Sequence, residues 1–207
     1  MNVALIALSS FIVAFSGALV PGPLFTITVG ESVKRGFVAG PLIILGHGIL
    51  ELFLVVLLLT GVTPFFSADK TRIAIAVIGG VILLLMGGMM IKDASAATLV
   101  MTAESNKKGL HPVIAGVVGS LSNPYWLVWW ATAGLGYLIS SARYGFTGVA
   151  AFFAGHIAAD LSWYSLLSLA VSRGRTLLGD RGYRSMLYGC GFFLMAFGGW
   201  FISWVVR

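Results

Sequence analysis

Apolar residues dominate this chain in long stretches, and polar residues collect in short intervals between them. Residues 1–30, 73–91, 109–142 and 185–206 contain no Asp, Glu, Lys or Arg. A helix that crosses a bilayer needs roughly 20 apolar residues. The pattern therefore predicts six spans, at about 3–30, 37–60, 72–91, 111–139, 146–171 and 185–206. The first and fourth are longer than a bilayer requires, and each carries a helix breaker: Pro21-Gly22-Pro23 in the first, Ser122-Asn123-Pro124 in the fourth. Proline removes a backbone donor and clashes with the preceding turn, so both helices are expected to be kinked or split there. The expected fold is an all-α polytopic membrane protein, one transmembrane domain over residues 1–207.

The two halves of the chain carry the same landmarks in the same order. Pro23 matches Pro124, Gly36-Phe37 matches Gly145-Phe146, and Gly87-Gly88 matches Gly198-Gly199. Between them, GHGILEL at 46–52 matches GHIAADL at 155–161. This divides the chain into a first repeat at about 1–91, a polar connection at 92–110 and a second repeat at about 111–207. Three spans per half send the second half in from the opposite face, which predicts an inverted-topology repeat of the kind found in transporters.

Composition strengthens the membrane reading. The chain is 58% hydrophobic and 10% charged, whereas a soluble domain carries about 25% charged residues. Its net charge of +6 comes from lysines and arginines in the connections, with no nucleic-acid motif, so no nucleic-acid partner is expected. Connections 1–2, 3–4 and 5–6 hold nine of the basic residues and the other side four. By the positive-inside rule both termini are expected outside the cytoplasm, in a multi-pass cytoplasmic (inner) membrane protein. The single cysteine, Cys190, excludes an intrachain disulfide or a CxxC redox pair.

Candidate chemistry lies in the repeated motif and at the breaks. His47 and Glu51, like His156 and Asp160, are four residues apart and share one helical face. A carboxylate at mid-membrane costs roughly 2.5–3.5 kcal/mol on translocon scales, so each must face the bundle interior, carry a proton or be paired. The two pairs read either as structural hydrogen bonds between helices or as a substrate or proton site. The breaks at Pro21, Gly22 and Pro23 and at Asn123 and Pro124 expose helix ends: N-termini attract anions, C-termini cations. Ser16, Thr26, Ser120 and Ser122 add hydroxyls near them. Tyr125, Trp126, Trp129 and Trp130 read equally as interfacial anchors and as substrate contacts. No catalytic triad, HExxH zinc motif or P-loop occurs, so neither an enzyme, a cofactor nor direct ATP drive is expected.

Pro21-Gly22-Pro23, followed by Ser32-Val33-Lys34-Arg35-Gly36 and a glycine-spaced second helix, resembles the LysE/RhtB family of amino-acid exporters. Ser122-Asn123-Pro124 stands where that family has an Asn-Pro motif. Asp160-Leu161-Ser162-Trp163-Tyr164 resembles its Asp-x-x-Trp-Tyr/Phe pattern and brings Trp163 among the candidate site residues. The resemblance implies a six-helix secondary transporter that exports amino acids or related small metabolites, driven by the proton or an ion gradient. The expected partners are a small-molecule substrate and the lipid bilayer, with homodimerisation left open. Two alternatives stand beside this reading. One is a divalent metal cation exporter using His47, Glu51, His156 and Asp160 as ligands; the other is a non-transporting membrane scaffold.

Overall fold

Proline and asparagine decide where the first helices begin and stop. In a computed structural model of the protein, which describes residues 2–62, 69–98 and 110–206, α1 (Val3–Ala18) starts with the Asn2 side chain accepting the Ala4 N–H at 3.2 Å. The chain then passes through Pro21 and an extended Gly22 into α2 (Pro23–Arg35), with Pro23 in the first turn, where a missing N–H costs nothing. Gly36, at φ 75°, leads into a 3-10 turn (Gly36–Val38) and α3 (Ala39–Leu57), which ends in a π-turn (Leu58–Val62). Next comes α4 (Asp69–Ala94).

The second half repeats the device. α5 (Pro112–Leu121) stops at Ser122, and Asn123 caps α6 (Pro124–Trp129) by accepting the Tyr125 N–H at 3.1 Å. A π-turn (Trp130–Gly134) joins α6 to α7 (Leu135–Ala142). α8 (Gly145–Val206) completes the chain and is kinked at Gly179, φ 52°. Both long spans are therefore split at the breakers read from sequence. A non-helical connection across 172–184 is not found. Helical geometry runs through it to Gly179, because no proline intervenes and one glycine in the left-handed region turns the chain. Most of the other polar connection, residues 99–109, lies outside the described residues.

Every element among the described residues is helical. The run Pro23–Gly61, 39 residues, is long and apolar enough by itself to cross a membrane. Large apolar side chains cover the outer surface: Ile12, Phe53, Leu85 and Phe192 are each at least 60% exposed. A surface of this kind suits hydrocarbon and not water.

Inside, glycines let backbones touch. A Cβ on Gly46 would overlap the Val113 carbonyl, and one on Gly116 the Ile43 carbonyl, so α3 and α5 are in backbone contact. Likewise, a Cβ on Gly155 of α8 would overlap the Ala7 carbonyl of α1. The glycine before each motif histidine thus meets the first helix of the other half. α4 and the end of α8 pack through two exchanged pairs, Gly80 with Gly198 and Gly87 with Gly191. Close approach through small residues is how membrane helices gain van der Waals contact without a hydrophobic driving force.

One buried hydroxyl ties three elements together. Ser168 of α8 donates to the Phe37 carbonyl at 2.9 Å, accepts the Gly40 N–H at 3.2 Å and shares a 2.7 Å bond with the Ser32 hydroxyl. Ser168→Ala takes the acceptor from the buried Gly40 N–H, at about 1–3 kcal/mol for such a loss. The variant is expected to melt at a lower temperature than wild type in detergent, whereas exposed Ser162→Ala is not; equal melting of both would refute the role given to Ser168.

Candidate functional site

The repeated motif closes into one centre. His47 and Glu51 face inward from α3, and His156 and Asp160 from α8; their exposures are 5%, 1%, 4% and 4%. Within each helix the four-residue spacing gives His47 Nε2–Glu51 Oε1 at 3.1 Å and His156 Nε2–Asp160 Oδ2 at 3.3 Å. The shortest pairing runs between the halves, with His156 Nε2 2.8 Å from Glu51 Oε2. His47 Nε2 also lies 3.7 Å from Asp160 Oδ2. Each histidine therefore faces both carboxylates, a closer arrangement than two separate pairs one turn apart.

Three neighbours orient this tetrad. Trp126 and Trp130, four residues apart across the start of the π-turn, both donate their indole N–H to Glu51 Oε1, at 2.9 and 2.7 Å. Ser120 of α5 donates its hydroxyl to the Gly116 carbonyl at 2.7 Å. Its lone pairs are then left to receive the His47 Nδ1–H, also at 2.7 Å, an assignment made from the network. With its proton on Nδ1, His47 turns Nε2 toward the carboxylates. The ring of His156 is enclosed by aromatics, 4.8 Å from Trp129 and 5.5 Å from Trp130 between centroids.

Some of the inward-facing atoms make no directed bond. Glu51 Oε2, Asp160 Oδ2 and both ring nitrogens of His156 are buried without a hydrogen-bond partner among the described residues. The 2.8 and 3.3 Å contacts are close in distance but not aligned as hydrogen bonds. Two carboxylates in a low-dielectric interior need compensating positive charge, from protonated histidines or from a bound cation.

A cavity of about 40 Å³ opens beside the tetrad, bounded by Ala14, Gly17 and Leu24 on one side and by Asn123, Trp129 and Tyr164 on the other. The two helix breaks meet at its edge: a Cβ on Gly22 would stand 3.2 Å from Asn123 Nδ2. Pro21 and Pro23 flank Gly22, and Pro124 opens α6 beside Asn123. Tyr125 donates to the Ser16 carbonyl at 2.9 Å and Trp129 Nε1 to the Ser16 hydroxyl at 3.2 Å, fastening α6 to α1 across the gap. Trp163 is not a lining residue. It is half-buried in the apolar cluster around Phe25, Ile43 and Leu187, with its indole N–H unpaired among the described residues. His111 lies apart as the cap of α5.

Sequence reasoning did not assign Trp126, Trp130 or Ser120 to this centre as partners of Glu51 and His47. The available signal was the four-residue spacing of the two tryptophans, which puts them on one face.

The family model described as LysE type translocator matches residues 15–203. The chain is 26% identical over 197 residues to the chemotactic transduction protein ChpE of Pseudomonas aeruginosa, an alignment covering 94% of this chain and 96% of that protein. No solved structure matches. With a match that runs almost from end to end, the chain belongs to the LysE type translocator family and is a membrane translocator.

Proposed function

We propose that this translocator exports amino acids or related small metabolites as a secondary transporter, by alternating access coupled to the proton or another ion gradient. The observation that carries the reading is the tetrad: one histidine–carboxylate pair from each half, all within a few ångströms, beside both broken helices. An α-amino acid presents an ammonium and a carboxylate. The carboxylates of Glu51 and Asp160 suit the first, and the uncapped N–H groups that open α2 suit the second.

The packing supports six spans in two inverted repeats. Matching Gly87 to Gly198 also matches Gly80 to Gly191, and the contacts Gly80–Gly198 and Gly191–Gly87 then exchange with each other. A two-fold relation between halves produces such an exchange. Both termini would lie outside the cytoplasm of a cell or inner membrane, as the basic connections favour.

At about 40 Å³ the cavity accommodates a few waters, since one needs roughly 10–15 Å³ by this measure. An amino acid requires α1 and α6 to separate, which loosens the Tyr125 and Trp129 bonds to Ser16 and opens one side. The test is efflux of a panel of labelled amino acids from cells with and without the protein. At least one is expected to leave faster when the protein is present, and a protonophore should remove the difference. Identical efflux across the panel overturns the amino-acid reading.

A further inference from the structure

We propose that His47, Glu51, His156 and Asp160 form a binding site for one divalent transition-metal ion. Each residue offers one ligand atom, and these atoms lie within 4.8 Å of one another. Zinc bonds to imidazole nitrogen and carboxylate oxygen are about 2.0–2.2 Å long, so the donors of a tetrahedral site stand roughly 3.4 Å apart. The three nitrogen–oxygen separations given for Glu51 Oε2 and Asp160 Oδ2, 2.8, 3.3 and 3.7 Å, fall on both sides of that value. A small inward movement of the side chains brings the donors that stand up to 4.8 Å apart into range.

Three further observations point to a cation. Glu51 Oε2, Asp160 Oδ2 and His156 Nε2 are buried, converge, and make no hydrogen bond among the described residues. His47 holds its Nδ1–H against Ser120 at 2.7 Å, which fixes the tautomer with Nε2 free to coordinate, as outer-shell partners of metal-bound histidines do. The indole N–H groups of Trp126 and Trp130 both take Glu51 Oε1, fixing the carboxylate with its other oxygen facing His156.

The donor set selects the ion. Two imidazoles and two carboxylates suit zinc, manganese, iron or cobalt in the divalent state. Magnesium and calcium prefer six or more oxygens, more than this centre provides. The adjoining cavity of about 40 Å³ admits such an ion and a bound water without any helix moving. An amino acid, in contrast, requires opening. The site uses the two carboxylates that the amino-acid reading gives to the ammonium, but the two readings are tested apart, because metal binding is measured without transport and without an amino acid.

The experiment uses the purified full-length protein in lipid nanodiscs, titrated with Zn²⁺ by calorimetry. One saturable site per chain is expected, undiminished by millimolar Mg²⁺. His47→Ala and His156→Ala should abolish it, Ser120→Ala should weaken it about ten- to hundredfold as outer-shell losses do, and His111→Ala should leave it unchanged. Because a tetrad variant can misfold, X-ray absorption of the Zn²⁺-loaded wild type provides a second readout, with imidazole scattering from two ligands. Absence of saturable binding overturns the proposal, and so does a bound ion whose spectrum contains no imidazole.

Discussion

Glu51→Gln brings export close to background while the protein still inserts and folds. Glu51 is 1% exposed and is the most heavily contacted group of the centre. Its Oε1 takes two indole N–H bonds and lies 3.1 Å from His47, and its Oε2 lies 2.8 Å from His156. Glutamine has the same shape and keeps a carbonyl oxygen for the two tryptophans, so the aromatic wall retains its anchor. What it loses is the negative charge between the two histidines. Removing one partner of a buried ion pair costs about 3–5 kcal/mol, and the retained oxygen holds the change near the low end. Hydrogen bonds to charged groups contribute about 1.5–3 kcal/mol, and each 1.4 kcal/mol is tenfold in an equilibrium. Efflux of the amino acid identified by the panel should therefore fall roughly ten- to hundredfold at subsaturating concentration. Asp160→Asn should behave alike, since it faces the same two histidines. Efflux is normalised to membrane content and checked against the melting temperature of the purified protein. Wild-type rates in both variants would remove the tetrad from the transport cycle.

The residues legible in the sequence are those whose effect is local or periodic. Pro23 and Pro124 act on their own turn, and both helices break where these prolines stand. His47 with Glu51, and His156 with Asp160, share a face because four residues span about one turn of helix. That the two faces would meet followed from the repeat, but the shorter cross-pairing of His156 with Glu51 did not. It depends on how closely α3 and α8 approach, which is a property of packing. Trp126 and Trp130 were hidden for a related reason. Their rings reach Glu51 only because α6 starts afresh at Asn123 and runs into the π-turn at Trp130–Gly134. Trp163 entered through a motif resemblance alone, and its ring packs into an apolar cluster away from the cavity lining. Gly179 was masked by surrounding polar residues that read as a loop, although they are good enough helix formers to continue the helix to that glycine.

Glycines were legible as a stripe, but the sequence could not rank them, and the structure separates them sharply. Gly46 and Gly88 are both helical. A Cβ on Gly88 meets nothing within 4 Å, whereas one on Gly46 overlaps the Val113 carbonyl. Alanine gains about 1 kcal/mol of helix propensity over glycine at either position. At Gly88 that gain stands alone, so Gly88→Ala should melt at or slightly above the wild-type temperature. At Gly46 it is opposed by overpacking, typically about 1–3 kcal/mol and more where relief is poor. Relief is poor here because the obstacle is backbone: α3 and α5 must move apart. Those two helices carry His47 and Ser120, joined at 2.7 Å, so the movement also frees the His47 ring. Gly46→Ala is therefore expected to lower the melting temperature by on the order of 5 °C, the scale of 1–2 kcal/mol in a chain of this size. It should also lower efflux, although no charged or polar side chain has been touched. Gly155→Ala, which overlaps the Ala7 carbonyl next to His156, should do the same from the other half. If Gly46→Ala melted with Gly88→Ala, the backbone contact between α3 and α5 would not be what holds the tetrad in register.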